Sequence, residues 1–195
     1  MYREIWSWEG CKSKIQTLRG RLGFPNASQL KFLKLSLSLE DGQIHDELKD
    51  SAVPSIAPSL YCILSGYVEA RPVPETHQLI SFEQLQGGRI YHNAFTRRAT
   101  QPLEKAFGYS PLTLCEASRP FDAVKLDYGD CSVKVYSLPL VPIIILLWGE
   151  RSEFPASANV LFDSSVHNYL STEQIAMLSE LTIKRLRLAY ETVKA

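Results

Sequence analysis

Two stretches of this chain hold side chains whose types and spacing could do chemistry. The first is a polar elbow with the strand and turn after it. Trp148, Glu150, Glu153, Phe154 and Pro155 make up the elbow, Asp163 comes next, and His167 and Tyr169 lie within two turns of that. A carboxylate and an imidazole so close in sequence could bind a metal or work as acid and base, with Asp163, His167 and either Glu150 or Glu153 as the set. The same residues support a structural reading, in which Asp163 caps the turn 164–167 through its backbone N–H groups and His167 packs there. The capping reading needs only residues already in place. The second stretch is His92 with Tyr91, Arg97 and Arg98. It could present an axial ligand and two cations to a tetrapyrrole with carboxylate or amide edges. Its structural alternative is a loop histidine beside the solvated face of a helix.

Other histidines and glycines point to less. His45 and His77 sit in polar segments without ligand-type neighbours in sequence and read as surface residues. Gly87 and Gly88 lack the Lys-Ser/Thr and preceding buried strand of a phosphate loop. No nucleophile elbow, H-E-x-x-H run or Cys/His dyad occurs. The four cysteines, Cys11, Cys62, Cys115 and Cys131, are scattered without C-x-x-C spacing and read as reduced, buried thiols.

The elements that must position these residues can be read from periodicity. The run 131–148 reads as a half-buried strand followed by a fully buried one, and 149–163 as a polar elbow leading into a third strand. Antiparallel pairing of 143–148 with 158–162 places Asp163 away from the elbow. Ser171 and Gln174 form a capping box for a closing helix. On that helix Ile175, Leu178, Leu181, Leu186, Leu188, Tyr190 and Val193 cover most of the circumference, leaving a narrow stripe of Glu173, Glu180, Lys184, Arg187 and Glu191. A helix this apolar must be clasped on several sides.

Upstream, residues 9–23 read as an amphipathic helix stopped by Gly23, with Trp6 and Trp8 before it as packing residues or a partner surface. Residues 33–39 alternate as a strand, Asp41 and Gly42 signal a hairpin toward Ile44, and 46–53 read as polar loop. A helix is expected over 58–69, an extended exposed segment over 71–76 and a short strand over 79–82. Gly87 and Gly88 make a turn before a helix over 95–107 that Pro102 interrupts or restarts. A short helix over 112–117 and an edge strand over 121–128 complete the series. The order predicts an α+β fold, a mostly antiparallel sheet packed by helices with a long buried C-terminal helix, in a single domain over 1–195.

Lys+Arg and Asp+Glu balance at 21 each, so no global field draws in nucleic acid. The start lacks the apolar run of a signal peptide, and the longest apolar stretch, 138–148, is half a bilayer crossing. A soluble cytoplasmic protein without membrane or nucleic-acid partner is expected.

The run L-P-L-V-P-I-I-I-L-L-W-G-E-R-S-E-F-P-A-S-A-N-V-L-F-D, then Y-L-S-T-E and an apolar helix, resembles domain-of-unknown-function family 3786. The segment S-F-E-Q-L-Q-G-G-R-I-Y-H-N-A-F-T-R-R-A-T-Q-P-L-E-K-A-F-G resembles its middle portion. The resemblance makes Trp148, Glu153, Phe154, Pro155, Asp163 and Tyr169 signature positions. It implies a setting in anaerobic corrinoid or one-carbon chemistry, without the cysteine-rich iron–sulfur module that some members carry. From this the chain is expected to be a non-catalytic binding or accessory protein for a corrinoid-type tetrapyrrole or a protein partner. His92, His167, Arg97 and Arg98 are its candidate cofactor contacts, and a small acid–base or metal enzyme is the rival.

Overall fold

A computed structural model describes residues 6–194, with side chains through residue 192. The signal-peptide reading of the first residues and the inward placement of the Val193 side chain fall outside that range. The expected α+β architecture is what forms. Helix α1 (Trp8–Ile15) leads into a four-stranded sheet of β1 (Gln29–Phe32), β2 (Leu35–Ser38), β3 (Ile44–Asp46) and β4 (Ser51–Ala52). Helix α2 (Ala57–Tyr67) and strand β5 (Leu79–Ser81) come next. A helical arm runs as α3 (Gly88–Phe95), a π turn (Thr96–Thr100) and α4 (Gln101–Phe107). After α5 (Leu112–Ser118) come β6 (Val124–Leu126), β7 (Cys131–Leu138), β8 (Val141–Trp148), β9 (Ser157–Asp163) and the closing helix α6 (Thr172–Lys194).

The larger sheet has the order β5-β9-β8-β7-β6, antiparallel throughout. The expected register is observed, Ile143 opposite Phe162 and Trp148 opposite Ser157. One face carries Val133, Val135, Ile143, Ile145, Leu147, Val160 and Phe162 into the core. Pro142 is tolerated in the central strand because it sits near its start, beside the bulge between Tyr136 and Leu138. Helix α6 crosses this face, with Thr182 Oγ1 donating to Ser137 Oγ at 2.7 Å, and buries Ile175, Leu178, Ile183 and Leu186. The expected capping box is present, Ser171 N–H donating to Gln174 Oε1 at 3.0 Å and Gln174 N–H to Ser171 Oγ at 3.4 Å.

Several sequence expectations are corrected. The first helix ends at Ile15 and a 3-10 turn at Leu18, because Gly20 (φ 68°) turns the chain well before Gly23. The alternation over 33–39 is not one strand: Leu33 and Lys34 both take positive φ, 49° and 56°, and form the two-residue turn of the β1–β2 hairpin. The turn is held from outside. Arg185 of α6 donates to the Leu33 and Lys34 carbonyls at 2.9 and 3.0 Å. It also makes a two-pronged pair with Asp46 at 2.5 and 2.6 Å, both side chains being buried. The stretch 46–53 is thus more than polar loop, since it opens on this pair and includes β4. Trp8 is tucked against Tyr61, ring centroids 5.8 Å apart, and a Cβ on Gly42 would lie 2.3 Å from its ring. The tryptophans are packing residues, with Trp6 also partly buried against the core.

The arm begins earlier than residue 95. Gly87 is left-handed (φ 75°), and Gly88 starts α3 pressed so tightly on the preceding 3-10 turn that a Cβ would lie 1.9 Å from the Phe82 carbonyl oxygen. His92 is therefore helical, not a loop residue. Pro102 restarts the arm instead of breaking it, standing in the first turn of α4. The π turn widens the helix just ahead of the proline, and Gln101 N–H reaches back to the Thr96 carbonyl. Finally, Cys115 on α5 and Cys131 on β7 are joined in a disulfide, Cα atoms 6.7 Å apart, whereas Cys11 and Cys62 are buried and outside any disulfide. Scattered spacing predicts four reduced thiols, but folding brings two of them together across 16 residues of sequence.

Candidate functional site

The elbow and Asp163 lie at opposite ends of β9, about 20 Å apart at roughly 3.3 Å per residue. Trp148 makes the last β8–β9 pair, and Glu150, Glu153, Phe154 and Pro155 are exposed beyond it. The elbow is a tight turn closed by two backbone bonds between Arg151 and Phe154. Asp130 anchors it, accepting from Gly149 N–H at 2.8 Å and from Arg151 at 3.1 Å. The acid–base or metal set of Asp163, His167 and Glu150 or Glu153 is not assembled.

Asp163 instead ties down the segment 73–77. Its Oδ1 accepts from Thr76 N–H and Oγ1 at 3.0 Å each and from Ser165 N–H at 2.9 Å, and its Oδ2 accepts from His77 N–H at 2.6 Å. Burial would raise its pKa, but these donors win and hold it down at about 2. Tyr169 grips the same segment, its hydroxyl donating to the Val73 carbonyl at 2.6 Å and accepting Val73 N–H at 3.0 Å. Asp163 caps the turn as the structural reading has it, whereas His167 is exposed and does not pack there, and two of the signature positions form a clasp. The segment is pinned further where Glu75 meets Lys134 and Tyr136 of β7.

Glu75, His77 and Asp163 are the one grouping of three metal-capable side chains among the described residues. His77 thus has ligand-type neighbours after all, as does His45, 3.1 Å from Asp50. The donor set does not favour a cation. The Asp163 oxygens already accept four bonds, and the Lys134 ammonium occupies Glu75.

Three concavities surround α3 and the start of α6. The cleft between α3 and α6, about 390 Å³, has an apolar floor of Phe82, Phe95, Ala176 and Met177, with Tyr91 and Arg98 at its rim. Across α3, a cavity of about 280 Å³ against β9 holds His92, Glu83, Thr96, Thr100 and Asn159. Phe82 and Phe95, stacked with centroids 4.0 Å apart, form the wall between them. His167 lies in a third, wide-mouthed basin of about 570 Å³ with Gln86, Asn168 and Glu173. The structure therefore separates His92, Arg98 and His167 into three sites, and Arg97 is exposed outside all of them. Glu83, Met177 and Thr100 carry no signal in the sequence that marks them as site residues. Only the Ser81–Gln84 capping box, which holds the turn bearing Glu83, is legible there.

Among the described residues no helix is long and apolar enough to cross a membrane. Neither the curated proteins nor the solved structures include a match to this chain. The family described as Domain of unknown function (DUF3786) matches residues 18–185, taking in the clefts, the clasp and the buried Arg185, and the chain belongs to that family.

Proposed function

We propose that the protein is a non-catalytic binding or accessory protein that seats the apolar body of an acidic organic molecule between α3 and α6. The observation carrying this reading is Arg98. Among the described residues its guanidinium has no hydrogen-bond or ion-pair partner, although it borders an apolar cleft with two acidic neighbours, Glu180, engaged by Lys184 at 2.6 Å, and Glu173, which is also engaged. An unpaired guanidinium beside buried aromatic surface suits a carboxylate on a flat apolar ligand.

The family resemblance suggests a tetrapyrrole, in a setting of anaerobic corrinoid or one-carbon chemistry in the cytoplasm. Recognition would run through ring stacking on Tyr91 and an edge carboxylate on Arg98. No histidine lines that cleft, so axial ligation does not fit. Absorbance titrations with heme, metal-free protoporphyrin and cobalamin test the reading. Saturable binding of heme and protoporphyrin alike, weakened about tenfold or more by Arg98→Ala and untouched by His92→Ala, supports it. A spectrum unmoved by all three removes the tetrapyrrole.

A second reading, a protein partner, rests on the elbow. Tyr109 is 95% exposed, Phe154 66% and Leu112 62%. Their segments meet where Glu150 N–H donates to the Gly108 carbonyl at 2.9 Å. Tyr109→Asp with Phe154→Asp would abolish association with a co-purifying protein and leave the titrations unchanged.

A further inference from the structure

The cavity between α3 and β9 differs in chemistry from the cleft across the Phe82–Phe95 wall. Its polar groups converge from three elements: Glu83 from the 3-10 turn after β5, His92, Thr96 and Thr100 from successive turns of the arm, and Asn159 from β9. Thr96 and Thr100, four residues apart on one side of the arm, bound the π turn, and such turns recur at functional sites. Strand β5 stops at Ser81 opposite Leu161, leaving the β9 edge below it without a strand neighbour. Ala158 N–H on that edge is taken by Glu104 at 3.1 Å. The Val160 backbone, two residues on, points to the same side.

His92 is the informative side chain. Its Nε2 lies 3.4 Å from Thr96 Oγ1, and either atom could be the donor. In the tautomer that carries the proton on Nε2, Nδ1 is an acceptor. That atom is buried and has no hydrogen-bond partner, the Glu83 carboxylate lying 3.4 Å away, within ion-pair distance but outside a hydrogen bond. A carboxylate and an acceptor nitrogen facing one space, with aromatic rings behind and no lysine or arginine lining it, call for a cationic hydrogen-bond donor. An anion would meet Glu83 with no counter-charge. A transition-metal ion would find two ligating side chains where protein sites use three or four.

We propose that this cavity binds the ammonium group of a small organic amine, with Glu83 as counter-ion, His92 Nδ1 as acceptor and the Phe82–Phe95 wall as the apolar contact. The site is independent of the acidic ligand proposed for the neighbouring cleft. The test is an amide chemical-shift titration of the ¹⁵N-labelled full chain with n-propylamine at neutral pH, against n-propanol, propionate and zinc chloride. The expected result is saturable shifts around Glu83, His92, Thr96 and Asn159 with propylamine and none with propanol or propionate. Glu83→Gln, on a half-exposed side chain, weakens the affinity about tenfold or more, and Asn159→Ala repeats the loss from another element. No saturable shift with propylamine, an equal response to propanol, or affinity unchanged in Glu83→Gln overturns the proposal. So does a response to zinc alone.

Discussion

Arg185 and Asp163 hold buried charge at two places in the fold, and neither role is visible from local sequence. Arg185 sits inside the apolar surface of α6, where periodicity alone would place a core residue, because Asp46 and two turn carbonyls meet it there. Removing one partner of such a pair strands the other charge, so Asp46→Asn lowers stability by about 3–5 kcal/mol in urea denaturation. The double variant Asp46→Leu with Arg185→Met recovers part of that loss, because it leaves no buried charge, although the Leu33 carbonyl and the Leu48 N–H lose their side-chain partners. Burial would raise the Asp46 carboxyl, but Arg185 and the Leu48 N–H hold it below its ordinary range, and Asp163 is depressed further, to about 2. A depressed folded pKa means stability that is full above the unfolded value of 3.8 and lost as pH falls through the folded value. Thermal stability therefore falls as pH drops below about 4. Asp163→Asn flattens that acid limb and costs about 2 kcal/mol at neutral pH.

At the scale of elements, the arm from α3 to α4 positions both proposed ligand sites, and its geometry rests on Gly88 and Pro102. Gly88→Ala forces the 3-10 turn off α3 and unstacks Phe82 from Phe95. The expected cost is about 1–3 kcal/mol, with broadened amide resonances around both cavities. The disulfide joins α5 to the core face of the sheet. Reduction, or Cys115→Ser, lowers stability by about 3 kcal/mol on loop length alone, checked by melting with and without dithiothreitol. Strand periods, the β8–β9 register and the α6 capping box are legible in the sequence because each arises within a few residues. The start of the arm is not, since α3 opens on two glycines whose use depends on the Phe82 carbonyl lying against them.

For the whole molecule, α6 is the common partner: the large sheet packs along it through Thr182 and the small sheet is tied to it by Arg185. One cooperative unfolding transition is the expected consequence. Trp8 reports from beside the small sheet and Trp148 from the end of the large one. Single-tryptophan variants at these sites should give coincident urea midpoints, and two separated midpoints would refute the single cooperative unit. By itself the sequence determined the α+β class, the antiparallel register, the clasped closing helix and the separation of Asp163 from the elbow, because alternation, helical spacing and strand length are local. Only the tertiary structure decided that Asp163 and Tyr169 form a clasp, that Cys115 meets Cys131 and that Arg185 is buried. It also decided that His92, Arg98 and His167 serve three separate spaces. Those outcomes depend on residues tens of positions apart being brought within bonding distance, and no short-range pattern encodes such a meeting.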